Sequence, residues 1–200
     1  LDPITNEIGK SICFAVSQNH ARKLTEILNE FAEELYPNKY NSDFAVQVTS
    51  QVDSAQQMTI NFTNNNLNGK TNWLEGYKTS KTRICVTVGM MTTGYDCPDL
   101  LNLCMLRPIF SPADFVQIKG RGTRKHTFEY KYKNELAEEE IIQHEKEYFK
   151  LFDFFANCEY FEEKFDYDEK LQLPKTRESQ GSEGGGGGTT PKEYTSLRPD

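Results

Sequence analysis

At 200 residues and a net charge of −7, the chain has room for one domain of ordinary size and is not, as a whole, a basic nucleic-acid binder. Any contact with DNA has to come from a local patch or from a partner domain. No apolar run reaches the length of a membrane span and no basic-then-apolar leader opens the chain; five cysteines without a CxxC pair and three scattered histidines predict free thiols in a reducing cytoplasm and no metal site.

Residues 1–10 read as a lead-in. Ser11 to Val16 is a near-continuous apolar run, the mark of a strand buried on both faces in a parallel sheet. The polar turn Ser17-Gln18-Asn19-His20 follows, and Leu24, Ile27, Leu28, Phe31 and Leu35 then recur at helical spacing until Pro37. Ser17 or Asn19 would serve as an ordinary cap on that helix. Phe44 to Val48 predicts the next strand, ending in Thr49-Ser50-Gln51, and Ala55 to Phe62 a short helix. Asn68-Gly69-Lys70-Thr71 contains Gly-Lys-Thr, but a phosphate-binding P-loop needs glycine where Asn64 stands and a strand directly before it, so a surface loop is predicted. Trp73 to Tyr77 reads as the end of a helix packed on the sheet.

Ile84 to Val88 predicts a third strand, followed by a Gly- and Thr-rich loop to Asp96 and by Pro98. Leu100 to Leu106 predicts a fourth. Ser111 and Pro112 then fit the N-cap and first position of a helix whose stripe is Ala113, Phe115, Val116 and Ile118, and which ends at Gly120 to Gly122. Strands near residues 12, 46, 86 and 104 separated by helices predict an α/β fold, a doubly wound and mostly parallel sheet flanked by helices, with ligands at the strand C-terminal ends. Beyond Arg124, Phe128, Tyr130 and Tyr132 alternate with lysines, as in a lysine-guarded edge strand or a surface that stacks on single-stranded bases. Glu135 to Lys146 reads as a charged, solvated helix and Tyr148 to Phe155 as a last strand. The domain is expected to span residues 11–170. Residues 171–200, with glycine throughout 184–188, read as a flexible tail toward a further domain.

Two constellations carry chemistry. In Thr92-Thr93-Gly94-Tyr95-Asp96, Gly94 lets backbone approach a ligand and the Asp96 carboxylate can accept from a hydroxyl. In Gln117-Ile118-Lys119-Gly120-Arg121-Gly122-Thr123-Arg124, the two arginines stand three apart and point the same way from a helix end. Two permanently charged forks beside the exposed backbone of Gly120 suit a polyphosphate. They equally suit the negative end of the helix dipole, where cations are favoured without any ligand.

Gln117-x-x-Gly120-Arg121-x-x-Arg124 resembles motif VI of superfamily-two helicases and translocases, and Thr93-Gly94-Tyr95-Asp96 the end of their motif V. More narrowly, the whole block from Thr92 to Arg124 resembles the motor subunit of type I restriction enzymes, as do residues 148–170. The resemblance implies a RecA-like fold and the role of second motor lobe in an ATP-dependent translocase of double-stranded DNA. Arg121 and Arg124 would then reach across a cleft to ATP and Mg²⁺ held mainly by a first RecA-like lobe. Gln117 would orient them, and Gly94, Asp96 and Gly120 would line the nucleotide. Ser17, Gln18, Asn19, Thr49, Ser50, Thr92 and Thr93 would approach the DNA backbone. The implied partners are that first lobe, a nuclease domain of the same polypeptide, and methyltransferase and specificity subunits, with no membrane involved. No Walker A loop or Asp-Glu Walker B pair occurs, so these 200 residues alone are expected to have negligible ATPase activity. The alternatives are the same lobe in another superfamily-two helicase or remodeller, and a non-catalytic α/β module that holds a phosphorylated ligand or a protein partner.

Overall fold

Ser11–Ala15, buried at every residue, forms β1, the middle strand of a five-stranded sheet in a computed structural model that describes residues 1–90, 95–136 and 138–165. Its neighbours are β5 (Ile84–Thr87) and β6 (Asn102–Leu106), with β2 (Ala45–Gln47) beyond β5 and β9 (Lys150–Asp153) beyond β6. Every pairing in this sheet is parallel. A parallel sheet flanked by helices matches a RecA-like α/β fold, and the continuous apolar runs of β1 and β5 follow from it, because a strand between two helical layers meets no water on either face.

Ile12, Phe14, Cys85, Leu103 and Met105 point to one side of the sheet, where α2 (Ala55–Thr63), α3 (Pro112–Gly122) and a π-helical turn (Glu159–Lys164) cover them. Cys13, Ala15, Ile84 and Val86 point to the other side, against α1 (Gln18–Leu35) through Ala21 and Ala32. On the first side the Phe115 and Phe161 rings stack at 4.9 Å.

Two short antiparallel ribbons depart from the helices expected there. Trp73 to Tyr77 belongs to a hairpin of β3 (Thr71–Leu74) and β4 (Tyr77–Ser80), turning at Gly76 with φ 82°. A side chain at Gly76 is ruled out twice over. Its φ is left-handed, and a Cβ would lie 1.5 Å from the Lys131 carbonyl oxygen on the neighbouring ribbon. That ribbon pairs β7 (Thr127–Lys133) with β8 (Glu139–Glu145), where a solvated helix was expected. Cross-strand pairs of Lys133 with Glu139 and Tyr130 with Ile142 supply what local helix propensity does not.

The first nine residues contain no helix or strand, yet they are pinned. Arg83 is fully buried and forms an ion pair with Glu7, while its Nη1 donates to Thr79 at 2.8 Å. Tyr77 donates to the Asp2 carboxylate at 2.9 Å, and burial, followed by the Asp2 charge, pushes its hydroxyl well above the usual phenol range. No helix among the described residues is long and apolar enough to cross a membrane.

Candidate functional site

The parallel sheet has two edges, and the polar constellations divide between them. At the strand N-terminal edge, Lys10 is buried just before β1. Its Nζ donates to both Asp99 carboxylate oxygens at 2.9 and 3.0 Å, to Asn65 Oδ1 at 2.8 Å and to the Thr63 carbonyl at 3.4 Å. Thr63, the last residue of α2, donates its hydroxyl to the Asp96 carbonyl at 3.1 Å. Burial pushes the Asp99 carboxyl up, but the Lys10 ammonium and its hydrogen bonds outweigh this and hold it below its ordinary value. A buried pair of this kind ties β1, the end of α2 and the segment 95–99 to one another.

The end of α3 comes to the same place. Its N-cap Ser111 accepts from the Asp114 amide at 3.4 Å, Phe115 and Ile118 anchor it in the core, and it returns antiparallel to β6. Its last turn therefore lies at the N-terminal edge, where Arg121 donates to the Tyr95 carbonyl and Arg124 Nε stands 3.5 Å from Asp96 Oδ1. Burial, and then the neighbouring Arg124 charge, lower the pKa of Arg121, which remains a cation at neutral pH. Arg124 and Asp96 are 50% and 64% exposed, so both stay open to an incoming group. Gln117 stands on the exposed face of the same helix, one turn before Arg121.

The two glycines of this turn differ. A Cβ on Gly122 would fall 2.2 Å from the Phe149 ring, so internal packing requires that glycine. A Cβ on Gly120 would meet nothing within 4 Å. The protein's own packing therefore does not require glycine at 120.

The C-terminal edge holds the other set. Ser17 caps α1, its hydroxyl accepting from the His20 amide at 3.2 Å, and Asn19 accepts from Arg22 at 3.1 Å. Gln47 donates to Thr49 Oγ1 at 3.2 Å and to the Gln18 carbonyl at 3.4 Å, and Gln18 donates to Ser50 Oγ at 3.5 Å. Thr49 is buried in this cluster, whereas Asn19 and Ser50 are exposed. The turns after β1 and β2 thus meet over the end of β5. Thr92, Thr93 and Gly94 lie outside the described residues. The expectation that ligand-facing groups stand at strand C-terminal ends fits 17–19 and 49–50 but not the arginines, because a helix that follows a parallel strand carries its own C-terminus back to the opposite edge. Five strand residues at ~3.3 Å each separate the two sets by about 16 Å.

Sequence reasoning passed over Lys10, Asp99 and Arg83. The available signal was their position, a charge just before a mostly apolar strand. Among the described residues no group of three or more metal-ligating side chains gathers, and all five cysteines are free thiols.

No family model matches the chain. Over 128 residues it is 30% identical to the endonuclease subunit of the EcoKI type I restriction enzyme of Escherichia coli K12, a match covering 62% of this chain and 10% of that protein. It is 22% identical over 119 residues to IRC3 of Saccharomyces cerevisiae, named as an ATP-dependent helicase, covering 60% of this chain and 14% of that one. A solved fragment of an HsdR subunit of a type I restriction enzyme from Vibrio vulnificus superposes with a TM-score of 0.55 at 27% identity, over 79% of this chain and 25% of that one. The chain spans about a tenth to a seventh of the length of the curated relatives it matches. Its relatives and structural neighbours are thus type I restriction-enzyme subunits and superfamily-two helicases, as for the helicase C-terminal-like domain of a restriction subunit.

Proposed function

We propose that this chain is the second motor lobe of an ATP-dependent double-stranded DNA translocase within a type I restriction endonuclease. The observation that carries the reading is the division of its polar groups. Arg121, Arg124, Asp96 and the open Gly120 gather at one sheet edge, and Gln18, Asn19 and Ser50 gather at the other. One lobe thus presents a phosphate-facing end and a separate backbone-facing end, as a machine that couples nucleotide to DNA requires.

The residues fit half of a nucleotide site. Two guanidinium groups with a backbone open at Gly120 suit the β- and γ-phosphates, while the cradle and the Mg²⁺ ligands fall to a first RecA-like lobe. Bound ATP with Mg²⁺ supplies the phosphoanhydride whose cleavage drives movement. In this chain Arg124, half exposed and only loosely paired with Asp96 at 3.5 Å, is placed to exchange that carboxylate for a phosphate oxygen. Arg121, tied to the Tyr95 carbonyl, holds a fixed positive charge behind it. Asp96, released by Arg124, can accept from a ribose hydroxyl, and Gln117 orients the arginines or a water. At the other edge, Asn19 and Ser50 offer small polar groups to DNA phosphates, with Gln18 holding the two turns together. The further partners under this reading are the nuclease domain of the same polypeptide and the methyltransferase and specificity subunits.

The test is ATPase turnover of the chain combined with its first lobe, with and without duplex DNA, for wild type, Arg121→Ala and Arg124→Ala. An arginine acting on the phosphates is worth ~10³–10⁵ in rate, so either variant should lose turnover while ATP binding persists. Wild-type rates in both variants would reduce the arginines to helix caps. Brisk DNA-stimulated turnover by these 200 residues alone would refute the half-site.

A further inference from the structure

The sheet is covered unevenly. On the side of α2 and α3, all of its width from β5 to β9 lies under helices. On the opposite side α1 is the one helix among the described residues, with Ile8, Tyr40 and Phe44 packed beside it, and it rides over β2, β5 and β1. Cys104 and Leu106 of β6 face that side, and Phe152, the register partner of Cys104 on β9, faces it too. Phe152 is 46% exposed and Phe154, just beyond β9, is 63% exposed.

α1 forms a wall along this bare half. Asn29 bonds the Ala45 backbone and so marks the flank turned toward β2. Ile27, Phe31 and Leu35, at helical spacing on the other flank, are apolar yet 46–67% exposed. The angle between wall and floor opens into a cavity of ≈ 340 Å³ lined by Ile8, Cys13, Leu28, Cys104, Lys150 and Phe152. Two strands at ~4.8 Å spacing leave a floor about 10 Å wide, the diameter of one α-helix. Contiguous exposed apolar surface of this kind marks an interaction site, and parallel sheets are covered on both faces.

We propose that this groove seats one amphipathic α-helix from the remainder of a longer polypeptide, lying beside α1 and completing the helical layer over β6 and β9. The rim specifies its chemistry. Lys23, Glu30 and Glu34 share one exposed line along the wall and leave it mixed in charge, and exposed Lys150 stands on the far side. The helix therefore carries an apolar stripe toward the floor and an acidic residue toward Lys150 of β9. Residues 166–200 have no such stripe in sequence, their aliphatic residues being Leu171, Leu173 and Leu197 among three prolines and a glycine run. The relatives, of which this chain matches 10% and 14%, have ample further length to supply one.

The experiment is to place a benzophenone side chain at Phe152 in the intact polypeptide and map its photo-cross-links. The expected product is intramolecular, at positions repeating every three or four residues of a segment outside residues 1–200, and cross-links into residues 166–200 overturn the proposal. A second reading follows alkylation of Cys104 by N-ethylmaleimide, since a hydrogen bond from Cys13 lowers the pKa of this half-buried thiol and leaves it reactive if uncovered. Cys104 should be slow in the intact protein and at least about tenfold faster when Phe31→Asp and Phe152→Asp together expel the helix. Cross-links to a second copy or to another protein overturn the proposal. So does alkylation of Cys104 in the intact wild type as fast as a free thiol.

Discussion

Gly120 and Gly122 occupy the same helical turn and should respond oppositely to alanine. Replacing Gly120 adds a methyl group in open space and improves helix propensity, so the fold should gain about 0.5–1 kcal/mol. Replacing Gly122 brings the same propensity gain but drives a Cβ to 2.2 Å from Cδ2 and 2.5 Å from Cγ of Phe149. Because Cγ is involved, the whole ring has to move rather than swing its tip. Overpacking of this kind costs roughly 1–3 kcal/mol, which leaves Gly122→Ala destabilised by ~1–2 kcal/mol net. At about 2–4 °C per kcal/mol for a domain of this size, the two variants should melt several degrees apart, on opposite sides of wild type. Thermal and urea unfolding measure this directly, and Phe149→Leu should shrink the Gly122→Ala penalty. If Gly122→Ala is as stable as Gly120→Ala, Phe149 does not pack against this turn and the placement of α3's end is wrong. The functional half uses the same pair. Within an assembled motor, Gly120→Ala should lower ATPase turnover despite its greater stability, because an added methyl group obstructs the approach of the phosphates.

Lys10→Met leaves the Asp99 carboxylate largely buried without its cation, and breaking such a pair costs about 3–5 kcal/mol at neutral pH. The pH dependence should also invert. In wild type the Asp99 pKa is depressed, so its contribution is present above the unfolded value near 3.8 and is lost as pH falls below it. Without Lys10, burial alone raises that pKa, so Lys10→Met should be least impaired near pH 4 and increasingly so as pH rises; denaturant titrations at both pH values measure this. For His126, burial depresses the pKa below 6.5, only partly opposed by Asp99. The unfolded state then binds the proton first, stability falls as pH drops below about 6.5, and His126→Phe should flatten that part of the profile. Ser17→Ala removes the cap on α1 and should cost ~1 kcal/mol in unfolding assays.

How much was legible depended on where each segment's stabilisation comes from. β1 and β5 announce themselves because Ser11–Ala15 and Ile84–Thr87 are buried at every position, so their sequences have no polar face to show. α3 was equally plain, with Ser111 and Pro112 at its start and glycines in its last turn. β8 was not legible, because all seven of its residues are exposed and their glutamates suit a solvated helix as well as a ribbon. The alternation in β7 was readable as an edge strand, but only its pairing with β8 in the fold decides between them. Trp73, Leu74 and Tyr77 mimic a helical stripe, and the Glu75-Gly76 turn that separates them into two strands was the overlooked signal. In the candidate site, the arginine pair and Asp96 were legible as residue types. Lys10 and Asp99, which hold their surroundings in place, lie 89 residues apart and meet only through the fold.

The two-edge arrangement also bears on how force would pass through such a lobe. The residues that would sense nucleotide sit at the end of α3, and those that would meet DNA sit on the turns after β1 and β2. Between them lie the parallel strands and a core in which Phe115, Ile118, Leu103 and Met105 are all but fully buried. A close-packed layer of this kind has no soft element through which the two edges can shift independently. A rotation that brings Arg124 onto a phosphate must therefore swing Gln18 and Ser50 with it across the ~16 Å of the strands. Under the proposed function, coupling between nucleotide and DNA needs no signalling pathway inside the lobe. It needs only a rigid lever, and the buried Lys10–Asp99 pair locks the arginine-bearing end to that lever.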